Sequence, residues 1–209
     1  MQYYLIGGGD IKAGKLKAID KDAISKSKNK KVLIIDLTSN DLDKIKKYHE
    51  FLDQYFMSVC AEEVQFISKL KSTEDVRQAL NLAGVVYLPG GNTKLLLENI
   101  KERNVAPILK KLDTTIVGNS AGALVLCKEV ILTKDKEIEE TQVFPGLGMI
   151  DFSVDVHYDN SHDKELFELS KSREIYAIPE NCAIVFDDKL SHIGPVYKFS
   201  EGKKEKIIN

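Results

Sequence analysis

Three features of the sequence predict an α/β fold, a three-layer arrangement with a mainly parallel sheet and helices on both faces. Apolar, β-branched runs alternate with amphipathic stretches through the first 130 residues, the pattern of successive βαβ units. Glycine-rich loops follow three of the runs, at residues 7–10, 89–93 and 119–122, where the carboxyl ends of parallel strands gather function. Beyond Lys128 the pattern changes to short strands and turns, which predicts an antiparallel finish.

The elements follow in order. Gln2–Ile6 reads as the first strand and residues 15–27 as a helix. Residues 32–37 form an apolar run suited to a strand buried on both faces. Leu42, Ile45, Tyr48, Leu52 and Tyr55 recur at helical spacing, and residues 64–67 make a short strand. Ser72-Thr73-Glu74-Asp75 opens the next helix with a capping box, and Val76, Leu80 and Ala83 lie on its inner face. Val85–Leu88 is a fourth strand, residues 94–103 a helix, and residues 107–112 further helical turns. Residues 114–117 are a strand stopped by Gly118. Later strands are expected at 130–132, 153–158, 175–178, 183–186, 191–199 and 204–208, with a helix at 164–171. Residues 134–140 read as a charged loop and 144–148 as a turn-rich link.

A chain of 209 residues can bury a sizeable core and is expected to form a single domain, residues 1–209. The net charge of −2 supplies no field for nucleic acid. Three isolated cysteines, with no Cys-x-x-Cys spacing, argue against a disulfide framework or a zinc site and fit a reducing cytoplasm. Residues 1–6 lack a basic signal-peptide start, and no apolar run nears the ~20 residues of a membrane span. The expected partner is a small molecule, and a homodimer stays open.

The loop Gly7-Gly8-Gly9-Asp10 invites a phosphate-binding reading. Lys12 stands where a dinucleotide fingerprint needs its third glycine, so the loop is read as flexible backbone near a site. The sharper pattern is Gly118-Asn119-Ser120-Ala121-Gly122, between a strand and an apolar helix. Small neighbours allow a tight strand-to-helix turn that projects the hydroxyl, and the helix start directs N–H groups at a nascent oxyanion. Ser120 is the candidate nucleophile.

A serine nucleophile needs a base, and the base an orienting acceptor. His157 ends a strand just before a loop and is the candidate base. His49 is expected on an exposed helix face, His162 in a helix-start sequence and His192 in a late strand. For the acid, Asp135 would give the chain order Ser, Asp, His, whereas Glu180 follows an apolar strand at the same rim. Asp151, Asp155 and Asp159 read as surface groups. Oxyanion donors are available at Ala121 and in the Gly90-Gly91 loop. A Ser-His-Asp esterase and a non-catalytic binding module both remain open.

Four segments in this order resemble the peptidase S51 family, which includes aspartyl dipeptidase and cyanophycinase: Pro89-Gly90-Gly91-Asn92-Thr93, Gly118 to Ala123, Asp155-Val156-His157-Tyr158, and Ile178-Pro179-Glu180-Asn181-Cys182-Ala183. The resemblance implies a class I glutamine amidotransferase-like (flavodoxin-like) fold with serine at the elbow. It implies a serine peptidase acting on short peptides, with Ser120 as nucleophile, His157 as base and Glu180 as acid. Asp135 falls where some members carry an aspartate and is the second choice. Gly91 and Ala121 match the oxyanion donors, with Gly90 and Asn92 in the same substrate loop, and neither metal nor organic cofactor is implied. Residues 159–164 carry no arginine like the Gly-Glu-Thr-Arg insert of the aspartyl dipeptidase branch, so no preference for an N-terminal aspartate is implied.

Overall fold

The computed structural model describes residues 1–134 and 138–208. In chain order its elements are β1 (Gln2–Ile6), α1 (Lys17–Lys26), β2 (Lys31–Ile34), α2 (Leu42–Ser58), β3 (Glu63–Phe66), α3 (Thr73–Leu82), β4 (Val85–Leu88), α4 (Thr93–Glu102), α5 (Ala106–Leu109), β5 (Thr115–Asn119) and α6 (Ala121–Leu126). There follow β6 (Glu129–Leu132), β7 (Gln142–Pro145), β8 (Ser153–Val156), α7 (Asp163–Leu169), β9 (Ile175–Ile178), β10 (Ala183–Phe186), β11 (Leu190–Ile193), β12 (Tyr197–Ser200) and β13 (Lys203–Lys206).

The central sheet runs β11-β10-β1-β5-β4-β2-β3. Its five strands β1 to β5 pair in parallel, and β10 and β11 add an antiparallel edge beside β1. Alternation along these strands feeds two cores, because successive side chains leave a strand on opposite faces. Tyr3, Leu5, Leu33 and Val86 pack with α3 to α6, while Tyr4, Ile6, Val32, Ile34 and Tyr87 pack with α1 and α2. Each fully buried Leu or Ile is worth roughly 1.5–3 kcal/mol, so the two faces together hold the sheet between its helix layers.

The helices start as their sequences dictate. Asp41 accepts from the N–H groups of Asp43 and Lys44 to cap α2, and Ser72 and Asp75 form the reciprocal capping box of α3. One polar group lies deep in the second core. Asp20 on α1 is 1% exposed and accepts a 2.5 Å hydrogen bond from Tyr55 Oη. Burial pushes its carboxyl up to about 7.

The C-terminal part departs from the sequence reading in three places. Residues 144–148 are not only a link, because Gln142–Pro145 pairs antiparallel with β6. The expected strand at 191–199 is broken at Gly194-Pro195: β11 joins the central sheet, while β12 joins a second sheet ordered β13-β12-β9-β8. In that second sheet β8 and β9 pair in parallel and β12 runs antiparallel to β9. The short apolar runs did not say which sheet each strand would enter.

Candidate active site

Ser120 lies between β5 and α6 with φ 51° and ψ −111°, a left-handed conformation that L side chains avoid. Close packing holds it there. Its N–H donates to Ile6 O at 2.9 Å, and its carbonyl accepts from Ala123 and Leu124. A Cβ on Gly118 would come within 2.6 Å of Gly122, and one on Gly122 within 2.0 Å of Leu88 O. The glycines therefore let α6 lie directly on the strand ends, which turns the serine hydroxyl outward.

That hydroxyl meets His157, Oγ to Nε2 at 2.8 Å, and His157 Nδ1 lies 3.0 Å from Glu180 Oε1. A carboxylate can only accept, so Nδ1–H donates to Glu180 and Nε2 is left to accept from the serine. His157 sits one residue past β8 with φ 54°, so the strand expected to run to residue 158 ends sooner and the ring swings towards Ser120. Glu180 follows β9 in a turn completed by Asn181 at φ 61°. Both side chains are open to solvent, His157 at 48% and Glu180 at 57%.

The loop of residues 7–9 explains its own glycines. A Cβ on Gly8 would lie 2.1 Å from the His157 ring, and Gly7 O accepts from His157 N at 2.7 Å. Gly8 O accepts from Asn181 N at 2.9 Å, which ties the Glu180 turn to the same loop. The loop sits beside the site as expected, with Gly8 and Gly9 at positive φ, and Gly8 in particular makes room for the His157 imidazole.

Of the other expected site residues, Gly90 places its α-carbon against Ser120, where an added Cβ would be 3.4 Å from the serine Cβ. Gly91 has φ 130° and an added Cβ would strike Thr38 at 2.9 Å. Asn92 spends its side-chain oxygen on Leu95 N–H, capping α4 rather than turning to Ser120. Ala121 is buried as the first residue of α6. Asp135 lies outside the described residues. A cavity of about 720 Å³ joins Ser120, His157 and Gly91 to an apolar wall that includes Leu124 and Ile131.

The sequence model of peptidase family S51 matches residues 4–194. The chain belongs to peptidase family S51. Peptidase E of Citrobacter koseri is 30% identical over 126 residues, 57% of this chain and 55% of that protein. Peptidase E of Escherichia coli is 29% identical over the same coverage. The matched stretch thus spans about half the length of these curated relatives. Among solved structures, a peptidase from an acI-B1 Actinobacterium superposes with TM-score 0.72 at 21% identity, covering 99% of this chain and 93% of that one. A protein of Listeria monocytogenes EGD-e named as a candidate peptidase E gives 0.68 at 21%, covering 92% and 97%. These two likenesses establish a shared fold.

This S51 chain also holds two imidazole–carboxylate pairs that the sequence reading missed. His49, expected on an exposed face, is buried against Phe66 and bonds through Nε2 to Asp36, which also accepts from Ser68 N and Oγ. Asp155, expected at the surface, is 1% exposed and accepts from Thr133 Oγ1 at 2.9 Å and His162 Nδ1 at 3.0 Å. Burial pushes the Asp155 carboxyl up, against hydrogen bonds from His162 and Thr133 that pull it down. Its hydrogen bond to His162 pushes that imidazole up. Alternation gave no warning, because it puts Asp155 on the face opposite Val154 and Val156, where a carboxylate ordinarily meets water.

Proposed function

We propose that this S51 chain is a serine peptidase that cleaves short peptides through an acyl-enzyme. The observation that carries the reading is the unbroken relay of contacts from Ser120 Oγ through His157 to Glu180, at 2.8 and 3.0 Å. In this reading the Ser120 turn is a nucleophile elbow. His157 Nε2 takes the hydroxyl proton as Oγ attacks the scissile carbonyl, while Glu180 holds the ring in the tautomer that can accept.

The tetrahedral oxyanion is received by the N–H groups of Gly91 and Ala121, each such donor being worth about 2.7–4 kcal/mol of transition-state stabilisation. Gly90 keeps that loop close to the serine and Asn92 fixes its exit into α4. His157 then gives its proton to the departing amine. Water enters, gives a proton to His157, and releases the acid with Ser120 restored.

The same reading assigns a class I glutamine amidotransferase-like arrangement acting as one domain, with serine at the nucleophile position. None of these steps calls on a metal or organic cofactor. The free thiols of Cys60, Cys127 and Cys182 suit a reducing cytoplasm.

The test is labelling with a fluorophosphonate probe followed by a dipeptide-library screen, wild type against Ser120→Ala. Wild type is expected to label at Ser120 and hydrolyse a subset of dipeptides, with both lost in the variant. A folded wild type that neither labels nor hydrolyses would leave a binding module on this scaffold.

A further inference from the structure

We propose that His162, braced by Asp155, is a specificity-determining residue that receives the free α-carboxylate of the peptide's departing residue. The inference deepens the peptidase reading and rests on it for the direction of the substrate.

Two observations carry it. First, His162 lines the same cavity as Ser120 and His157, and its Nδ1 is committed to a carboxylate that has almost no contact with water. Asp155 must keep partners to stay buried, so Thr133 and His162 hold it and it in turn fixes the ring. With Nδ1 taken by Asp155, Nε2 is the ring nitrogen still available to a ligand in the cavity that His162 lines. Second, the departing amine must lie beside His157, because that imidazole returns the proton to it. The chain leaving His157 passes through Asp159 and Ser161 to His162, and all of them border the cavity. In a dipeptide the free carboxylate is carried by the same residue as the scissile nitrogen, two bonds away through Cα at about 2.5 Å, so it must lie close to His157 and on this side of the cavity.

The charged groups around His162 set the sign. Asp155 from β8, Asp159 from the loop and Glu165 from α7 all favour its protonated form, and His157 and Lys134 border the same cavity. Asp159 is solvent-exposed and tied to Ser161, so it does not occupy the ring. Protonated, His162 offers a charge-assisted N–H to a carboxylate. The raised value extends that form to higher pH, and the attraction is lost as pH rises through it.

The experiment measures binding without turnover. Calorimetry on Ser120→Ala compares dipeptides of the form Xaa-Ala with the same peptides as C-terminal amides, at pH 6 and pH 9. The free acids are expected to bind at least 10-fold more tightly at pH 6, with the gap narrowing at pH 9. Adding His162→Asn is expected to abolish the discrimination, with amide binding near that of Ser120→Ala and a lowered melting temperature that still leaves the protein folded at the assay temperature. Equal binding of acid and amide, including no binding of either, overturns the proposal, as does discrimination that survives His162→Asn. Fluorophosphonate labelling of wild type separates the two readings. Discrimination without labelling removes the peptidase and keeps the carboxylate site, and labelling without discrimination does the reverse.

Discussion

His157 meets Glu180 in the open, with 48% and 57% of their side chains exposed, whereas His162 meets Asp155 almost out of water, at 14% and 1%. Both imidazoles border one cavity, and both place Nδ1 about 3.0 Å from a carboxylate. The difference is in what the rest of each ring touches. His157 turns Nε2 to a serine held at φ 51°, while His162 has no such hydroxyl. Pairing with an acid therefore does not mark the reactive imidazole. A buried carboxylate makes a rigid bracket, and an exposed one makes a screened, replaceable orienting group.

The comparison breaks most readily at the exposed pair. Ser120→Ala and His157→Ala are each expected to lower kcat/KM by about 10⁴-fold or more, read with the best dipeptide from the library. Gly8→Ala is expected to approach that loss without altering Ser120, His157 or Glu180, because its methyl would displace the imidazole. Retained activity in Gly8→Ala would show that the ring has another seat.

Glu180→Gln sharpens the contrast. A carboxylate this exposed is expected to contribute roughly 10- to 100-fold in kcat, with unfolding free energy changed by no more than about 0.5 kcal/mol. A buried orienting acid costs far more when neutralised, on the order of 10⁴-fold in kcat. Kinetics and urea unfolding of the same sample decide between them.

Asp155→Asn should behave oppositely, losing about 1–3 kcal/mol of stability by urea unfolding because a buried hydrogen-bonded charge is replaced. If Glu180→Gln destabilised more than Asp155→Asn, the assignment of bracket and orienting group would be reversed.

A separate expected effect is on pH-dependent stability. Asp20 has its folded value raised from 3.8 to about 7, so its neutral form is favoured in the fold. Its stabilising contribution is complete below about pH 4 and is lost as pH rises to 7. His162 is raised too, and its contribution likewise fades with rising pH. Melting temperature is expected to fall between pH 5 and 8, and to fall less in Asp20→Asn.

Much of this was legible in the sequence for stated reasons. The parallel strands β1, β2, β4 and β5 are apolar runs punctuated by turns, and the capping box of α3 is a local device. Ser120 was visible because its turn demands glycines at fixed offsets. His157 and Glu180 were candidates from their strand-end positions, and the four ordered segments set Glu180 ahead of Asp135, since nothing local links residues 23 positions apart in the chain. What stayed hidden depends on tertiary burial. His49 lies among polar helix residues, yet Asp36 and Phe66 from other elements enclose it. Asp155 looks like a surface carboxylate until Thr133 and His162 arrive from elsewhere. The role of Gly8 also needed three dimensions, because the ring it accommodates comes from residue 157.

One consequence follows from where the parts are mounted. Ser120 caps a strand of the large sheet, while His157 and Glu180 leave strands of the small one, and the carbonyls of Gly7 and Gly8 tie the rims together by accepting from His157 N and Asn181 N. Alignment of the relay is thus a matter of how two plates are joined, and loosening that joint would silence the chemistry while both plates remain folded. On gentle heating, turnover should fade before helical circular dichroism does, and return on cooling.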